Sequence, residues 1–152
     1  MKKLLKLLIP FMFPNVKILF WYRMSRWFDS NQLSKIALFI ESFIQWNYSC
    51  AISCKANIHE SLKLPHPIGV VIGAFVQIDS NVTIYQNVTI GRKINTNELC
   101  PRIKQGTVIY ANSILLGDIV IDEATLIGAC SLVIESTEKN SVYFGCPASK
   151  VR

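Results

Sequence analysis

The sequence predicts a mainly β chain: a solenoid of short strands entered through a short α-helical segment. Three observations predict it. Ile72-Gly-Ala-Phe-Val-Gln, Ile78-Asp-Ser-Asn-Val-Thr and Ile84-Tyr-Gln-Asn-Val-Thr are consecutive hexads, each opening with Ile and carrying Val at the fifth place. The same spacing returns through Ile103, Ile109, Leu115, Ile121, Ile127 and Val133. The first fifty residues lack it and repeat their apolar residues at helical spacing instead. A period of six suits neither a long helix nor a plain strand. It suits a chain that turns a corner after every short strand, with its first and fifth places pointing into a narrow shaft.

The chain has 152 residues, room for one domain with a short appendage. Its hydrophobic fraction of 51% and formal charge of +6, with a mean hydropathy of +0.32, point to buried subunit contacts, membrane contact or both. Residues 1–50 hold seven Lys or Arg against Asp29 and Glu41, so +5 of the charge sits there. No nucleic-acid motif accompanies that charge, which excludes DNA or RNA as the expected partner. Five cysteines without paired spacings (Cys50, Cys54, Cys100, Cys130, Cys146) fit a reducing compartment better than a disulfide framework. The chain is accordingly expected to be cytoplasmic, with peripheral contact at the inner face of the membrane. Cys50, Cys54, His59 and His66 match no common zinc spacing, so no metal is expected.

Residues 1–50 read as a helical cap and a candidate membrane-surface segment. Lys2-Lys3 and the leucines after them resemble a signal peptide. Lys6 and Pro10 interrupt the apolar run, and no small-residue cleavage site follows. Val16 to Phe28 and Ser34 to Asn47 read as helices, with Asp29-Ser30-Asn31 as the turn and cap between them. Trp21, Tyr22, Trp27 and Trp46 alternate with Arg23, Arg26 and Lys35. Such a segment either covers the open end of a solenoid or lies on an anionic membrane. The two roles are compatible.

Residues 51–135 read as the solenoid, and its period breaks twice. Ile52, Ile58 and Leu64 keep it, but Leu64 to Ile72 is eight, and the two extra residues fall at Pro65-His66-Pro67. Proline on either side fixes the backbone and presents the imidazole at low entropic cost. Residues 91–102 are polar, carry no phase and read as a protruding loop. Residues 136–152 read as a tail outside the pattern. In the second block the sixth places, which face outward, are Val108, Ile114, Val120, Leu126 and Leu132, where the first block has Gln77, Thr83 and Thr89. An apolar exterior of this kind needs a partner surface. Val108 and Leu126 are expected to share one face, Ile114 and Leu132 the next, and Val120 the third.

Leu64-Pro-His-Pro-Ile-Gly-Val-Val-Ile-Gly73, Ile84-Tyr-Gln-Asn-Val-Thr-Ile-Gly91, Leu116-Gly-Asp-Ile and Gly145-Cys-Pro-Ala resemble motifs of the hexapeptide-repeat acyltransferases. Within them the chain looks most like serine acetyltransferases and the capsule and exopolysaccharide O-acetyltransferases. The resemblance covers about residues 50–152. It implies a left-handed parallel β-helix, a homotrimer, acetyl-CoA as donor and an active site between subunits. It also implies His66 as general base, a role suited to an imidazole near neutral pH. Asn87 and Cys100 are the substrate-contact candidates, with a nucleophilic role for Cys100 less favoured than a lining one. Gly91, Ala111, Ser113 and Ala129 are small enough to admit the pantetheine, and Arg92, Lys93 and Lys150 are candidates for the phosphates. His59 reads as a solvated strand residue.

The departures bear on the acceptor. Serine acetyltransferases carry an acid fifteen residues before the histidine, where this chain has Ala51, and another directly before it, where this chain has Pro65. A second histidine of theirs falls on Cys100. The expected acceptor is therefore a saccharide hydroxyl in surface polysaccharide biosynthesis. Serine is the alternative, and a non-catalytic trimeric scaffold a third reading.

Overall fold

The computed structural model describes residues 14–93 and 99–152. The signal-like start and the interior of the loop, 94–98, lie outside the described residues. Among the described residues two helices, α1 (Pro14–Ser30) and α2 (Ser34–Tyr48), precede fourteen short strands. The expected cap at Asp29-Ser30-Asn31 is a correction. Asp29 and Ser30 belong to the last turn of α1, Asn31 returns its amide to the Trp27 carbonyl, and Leu33, the residue at the N-cap of α2, makes no side-chain cap bond.

The strands are two to four residues long and build three faces of a prism. The first face stacks β1 (Ala51–Ile52), β3 (Val71–Ile72), β6 (Thr89–Gly91), β9 (Ile114–Leu116) and β12 (Leu132–Val133). The second stacks β2 (Asn57–Ile58), β4 (Gln77–Ile78), β7 (Arg102–Ile103) and β10 (Val120–Ile121). The third stacks β5 (Thr83–Ile84), β8 (Val108–Ile109), β11 (Leu126–Ile127) and β13 (Val142–Gly145), with β14 (Ala148–Lys150) at its edge. All pairings are parallel except β13 with β14. This is the left-handed parallel β-helix.

The hexad explains the packing. First-place Ile72, Ile78, Ile84, Ile90, Ile103, Ile109, Leu115, Ile121 and Ile127 are all buried, as are fifth-place Val76, Val82 and Val88. In later coils the fifth place turns polar without leaving a buried hydroxyl unpaired. Thr107 donates to the Asp122 carbonyl (3.2 Å), Ser113 to that of Gly128 (2.8 Å), and Thr125 to that of Glu138 (3.0 Å). Each hydroxyl ties one coil to the next and is satisfied in doing so. Corners are turned by residues at positive φ, among them Asn81, Asn87 and Asn112, the residue type that tolerates this conformation best after glycine.

The outward sixth places stack as expected. Val108 lies on Leu126, Ile114 on Leu132, and Val120 on Arg102. The first and third faces thus carry apolar outer columns, while the second runs Asn57, Gln77, Arg102, Val120. The tail is a further correction. Val142 pairs with Leu126 and continues the third face, and the chain then doubles back through Gly145 and a cis Cys146–Pro147 bond into β14. The hexad is lost there because β13 follows β11 by sixteen residues rather than eighteen.

The helices close the first coil. Ile18, Tyr22, Ile40 and Ile44 are buried in the same core as Cys50, Ile52 and Ala56. Tyr22 Oη donates to the Ala56 carbonyl (2.7 Å), Arg26 reaches the same oxygen, and Arg23 reaches that of Glu60 (2.9 Å). The Glu41 carboxylate accepts the Cys54 N–H. These bonds satisfy carbonyls and an amide that the end of a solenoid leaves without a neighbouring coil.

Candidate active site

His66 stands exposed on the edge between the third and first faces, just after Lys63, which bridges to Thr83, and before β3. The two-residue insertion is accommodated there. β3 follows β1 by twenty residues, whereas β6 follows β3 by eighteen. The segment is pinned from below. The Ile68 N–H closes a tight turn on the His66 carbonyl (2.9 Å), the Gly69 N–H donates to Ser49 O (2.9 Å), and Cys50 Sγ donates to Pro67 O (3.2 Å). Burial pushes the Cys50 thiol up, so it remains a neutral donor. Gly69 has φ +66°, and a Cβ there would lie 2.1 Å from Asn87 Oδ1. Only glycine fits both demands.

No carboxylate hydrogen-bonds to the His66 ring among the described residues. An aromatic wall stands beside it instead. The Tyr85 ring lies 6.1 Å from the imidazole, centroid to centroid and tilted by 47°, and stacks at 5.1 Å and 15° on Tyr110. Tyr85 follows Ile84 and Tyr110 follows Ile109, so both start the same corner on successive coils. Gly128 holds the third place in this column. A Cβ there would lie 2.5 Å from Phe144 Cδ2, so the Phe144 ring takes the space a side chain would fill. One residue beyond Tyr85, the Gln86 side-chain oxygen is buried without a hydrogen-bond partner among the described residues. Reading the sequence for chemistry passed over Tyr85, Tyr110 and Gln86. The signal that finds the tyrosines is their shared hexad place, once seven residues are subtracted for the loop between Ile84 and Ile109.

The other candidates divide between edges. Ala111 and Ala129 lie on the His66 edge, each following the residue that opens the corner. Asn87 is there too and serves the structure, since its N–H donates to Ile68 O (2.9 Å) and its side-chain amide to Asn112 Oδ1 (3.1 Å). Ser113 is a correction as a cofactor contact. Its side chain points into the shaft, fully buried and bonded to Gly128 O, beyond the reach of any ligand. Gly91, Arg92, Lys93 and Cys100 belong to a different edge, between the first and second faces, where strands extending to Gly91 and from Arg102 shorten the loop to 92–101. A Cβ at Gly91 would make only ordinary contact with Leu116 Cδ2, at 3.9 Å, and the Lys93 aliphatic chain lies over Gly117. Cys100 is buried, donates to Ala74 O (3.1 Å), and borders a cavity of about 180 Å³ with Phe75, Gln77, Leu99, Arg102 and Asp118. Lys150, on β14, is paired with Glu138 (2.6 Å), whose hydrogen bond holds its ammonium above the ordinary value.

His59 bonds through Nδ1 to Ser61 Oγ (2.8 Å) in a local turn on the second face. Among the described residues no three His, Cys, Asp or Glu side chains converge on a metal-sized site.

No family model matches the sequence. Among characterised proteins it is 29% identical over 128 residues to a serine acetyltransferase of Salmonella typhimurium, covering 84% of this chain and 47% of that one. It is 32% identical over 132 residues to the serine acetyltransferase of Buchnera aphidicola from Acyrthosiphon pisum, covering 86% and 48%. The fold superposes on the crystal structure of Brucella abortus serine acetyltransferase in complex with coenzyme A with a TM-score of 0.87 at 26% identity, covering 91% of this chain and 56% of that one. The chain thus spans about half the length of the curated relatives it matches.

Proposed function

We propose that this chain is a hexapeptide-repeat acyltransferase that transfers the acetyl group of acetyl-CoA to a hydroxyl, with His66 as general base. The observation that carries the proposal is the exposed imidazole on a two-residue insertion, pinned from below and walled by Tyr85. His66 takes the proton of the acceptor hydroxyl as its oxygen attacks the thioester carbonyl. The tetrahedral intermediate then collapses, the carbon–sulfur bond breaks, and the imidazolium returns its proton to the departing CoA sulfur. Among the described residues no carboxylate hydrogen-bonds to this ring. The Tyr85 ring, stacked on Tyr110, stands beside the imidazole and limits how it can turn.

Two readings of the acceptor stand, each with its own support. The relatives' names support serine, and they weigh against the saccharide that the sequence motifs suggest. The chain's own residues support the saccharide: Ala51 and Pro65 stand where the resemblance places acids, and among the described residues no carboxylate bonds to His66. Subunit contact through the apolar first and third faces would complete the cleft, bringing a neighbour's Cys100 edge toward His66. Arg92 and Lys93 of that edge are then the cations offered to the CoA phosphates.

The test is CoA release from acetyl-CoA with serine and, separately, with a panel of sugars and nucleotide sugars. Wild type is expected to turn over at least one of them. His66→Ala is expected to lower that rate by about 10²–10⁴, the usual general-base contribution. Full activity in His66→Ala would remove this residue from the mechanism.

A further inference from the structure

We propose that the outward face of the α1–α2 hairpin is a docking surface for an anionic membrane. Each helix divides its residues by side. Ile18, Tyr22 and Ser25 of α1 and Ala37, Ile40 and Ile44 of α2 are buried against each other and the first coil. The opposite side of each helix carries a Phe and a Trp seven residues apart, Phe20 with Trp27 and Phe39 with Trp46. Seven residues make two turns, so each pair lies on one line along its helix. These four side chains are 51%, 59%, 73% and 88% exposed in that order. Exposed Ile36 and Leu38 widen the band. An apolar surface of this extent on one side of a small domain marks a contact.

Charge selects the occupant. Both acids of the first fifty residues are engaged elsewhere. The Glu41 carboxylate accepts the Cys54 N–H of the solenoid, and Asp29 accepts the Ser34 hydroxyl in the turn. Each acid also follows a fully buried residue by one helical turn, Asp29 after Ser25 and Glu41 after Ala37, and so lies on the inner side, while Lys35 is exposed one turn before Phe39 on the outer side. The thirteen residues preceding α1 end at Phe13 and add Lys2, Lys3 and Lys6 with no acid, among four leucines, an isoleucine, two methionines and two phenylalanines. A second copy of the same surface would set like charges face to face. An anionic bilayer answers both features, since indoles settle at headgroup level and basic residues are drawn to the lipid charge. No described helix is long and apolar enough to cross a membrane. The hairpin therefore lies on the surface, its aromatic side down and its capping side on the solenoid.

The experiment uses the full chain with vesicles of phosphatidylcholine alone or mixed with phosphatidylglycerol, at low and high salt. Wild type is expected to sediment with the mixed vesicles, to release at high salt, and to blue-shift its tryptophan emission on binding. Phe39→Ser with Trp46→Ser is expected to weaken partitioning by roughly tenfold or more, with the thermal midpoint and the mass by light scattering unchanged. Lys35→Glu, which disturbs no buried atom, is expected to weaken binding at low salt only. Equal sedimentation of wild type with both vesicle types would overturn the proposal. So would a double variant of smaller mass, because the face would then be an interface between copies of this chain.

Discussion

Tyr85 offers the sharpest test of how His66 is held in place, since among the described residues its ring meets this aromatic side chain and hydrogen-bonds to no carboxylate. Tyr85→Leu keeps an apolar side chain on the edge but removes the ring that faces the imidazole at 6.1 Å. An aromatic contact at that separation contributes about 0.5–1.5 kcal/mol beyond simple burial. If the contact holds His66 in its working orientation, the loss appears as roughly a two- to thirteenfold fall in kcat/KM. Tyr85→Phe retains the face and should retain most of the rate. Tyr110→Ala leaves Tyr85 against His66 and should produce a smaller loss. CoA release measures all three, and a double-mutant cycle with His66→Ala separates orientation from general damage. In the His66→Ala background Tyr85→Leu should change the residual rate little, because no imidazole remains to orient. A loss of the same size in both backgrounds would sink the argument, and so would a Tyr85→Leu enzyme as fast as wild type.

Gly69→Ala should lower stability by about 1–2 kcal/mol, the cost of a Cβ in the left-handed region, and should slow turnover because Asn87 must move away beneath the His66 turn; a melt and rate equal to wild type would refute this. Replacing Ile114 and Leu132 together with Lys, or Val108 and Leu126 together, should disperse the proposed oligomer in at least one of the two pairs. Each apolar side chain covered contributes roughly 1.5–3 kcal/mol, and light scattering of both variants decides the matter. Stability should fall at alkaline pH through the junction of cap and coil. Burial, and then the hydrogen bond and charge of Glu41, push the Cys54 thiol up to about 12, and burial raises Tyr22 and Cys50 in the same direction. Above the ordinary thiol range the unfolded chain gives up protons that the folded chain keeps, so stability present below about pH 9 is lost toward pH 12, at no more than about 1.4 kcal/mol per pH unit for each such group. Cys54→Ala should flatten that decline in thermal midpoint, and an unchanged slope would refute the assignment.

The solenoid was legible because its rule is local. A side chain at the first hexad place must enter the shaft whatever the rest of the chain does, so Ile72, Ile78 and Ile84 declare the coil by themselves. The same rule ordered the outer columns, since stacking in a prism depends only on residue number modulo the coil. His66 was legible for the opposite reason, as the place where the rule breaks. What the period could not show was whatever depends on contact across an insertion. Tyr85 and Tyr110 are twenty-five residues apart, a coil plus the seven-residue excess of the loop, and look unrelated until the register Ile84 to Ile109 is known. The tail failed similarly. Val142 reaches the third face after a coil two residues short, so a strict count discards it although its strand pairs in full register with Leu126. Ser113 shows the limit from the other side. Its small size suggested room for a ligand, but smallness at a fifth place is a demand of the shaft, and its hydroxyl is already bonded to Gly128. A small residue marks access only where its corner faces outward, as at Ala111 and Ala129. The edge they share with His66 and the two tyrosines is therefore where the acceptor and the acyl group should be sought.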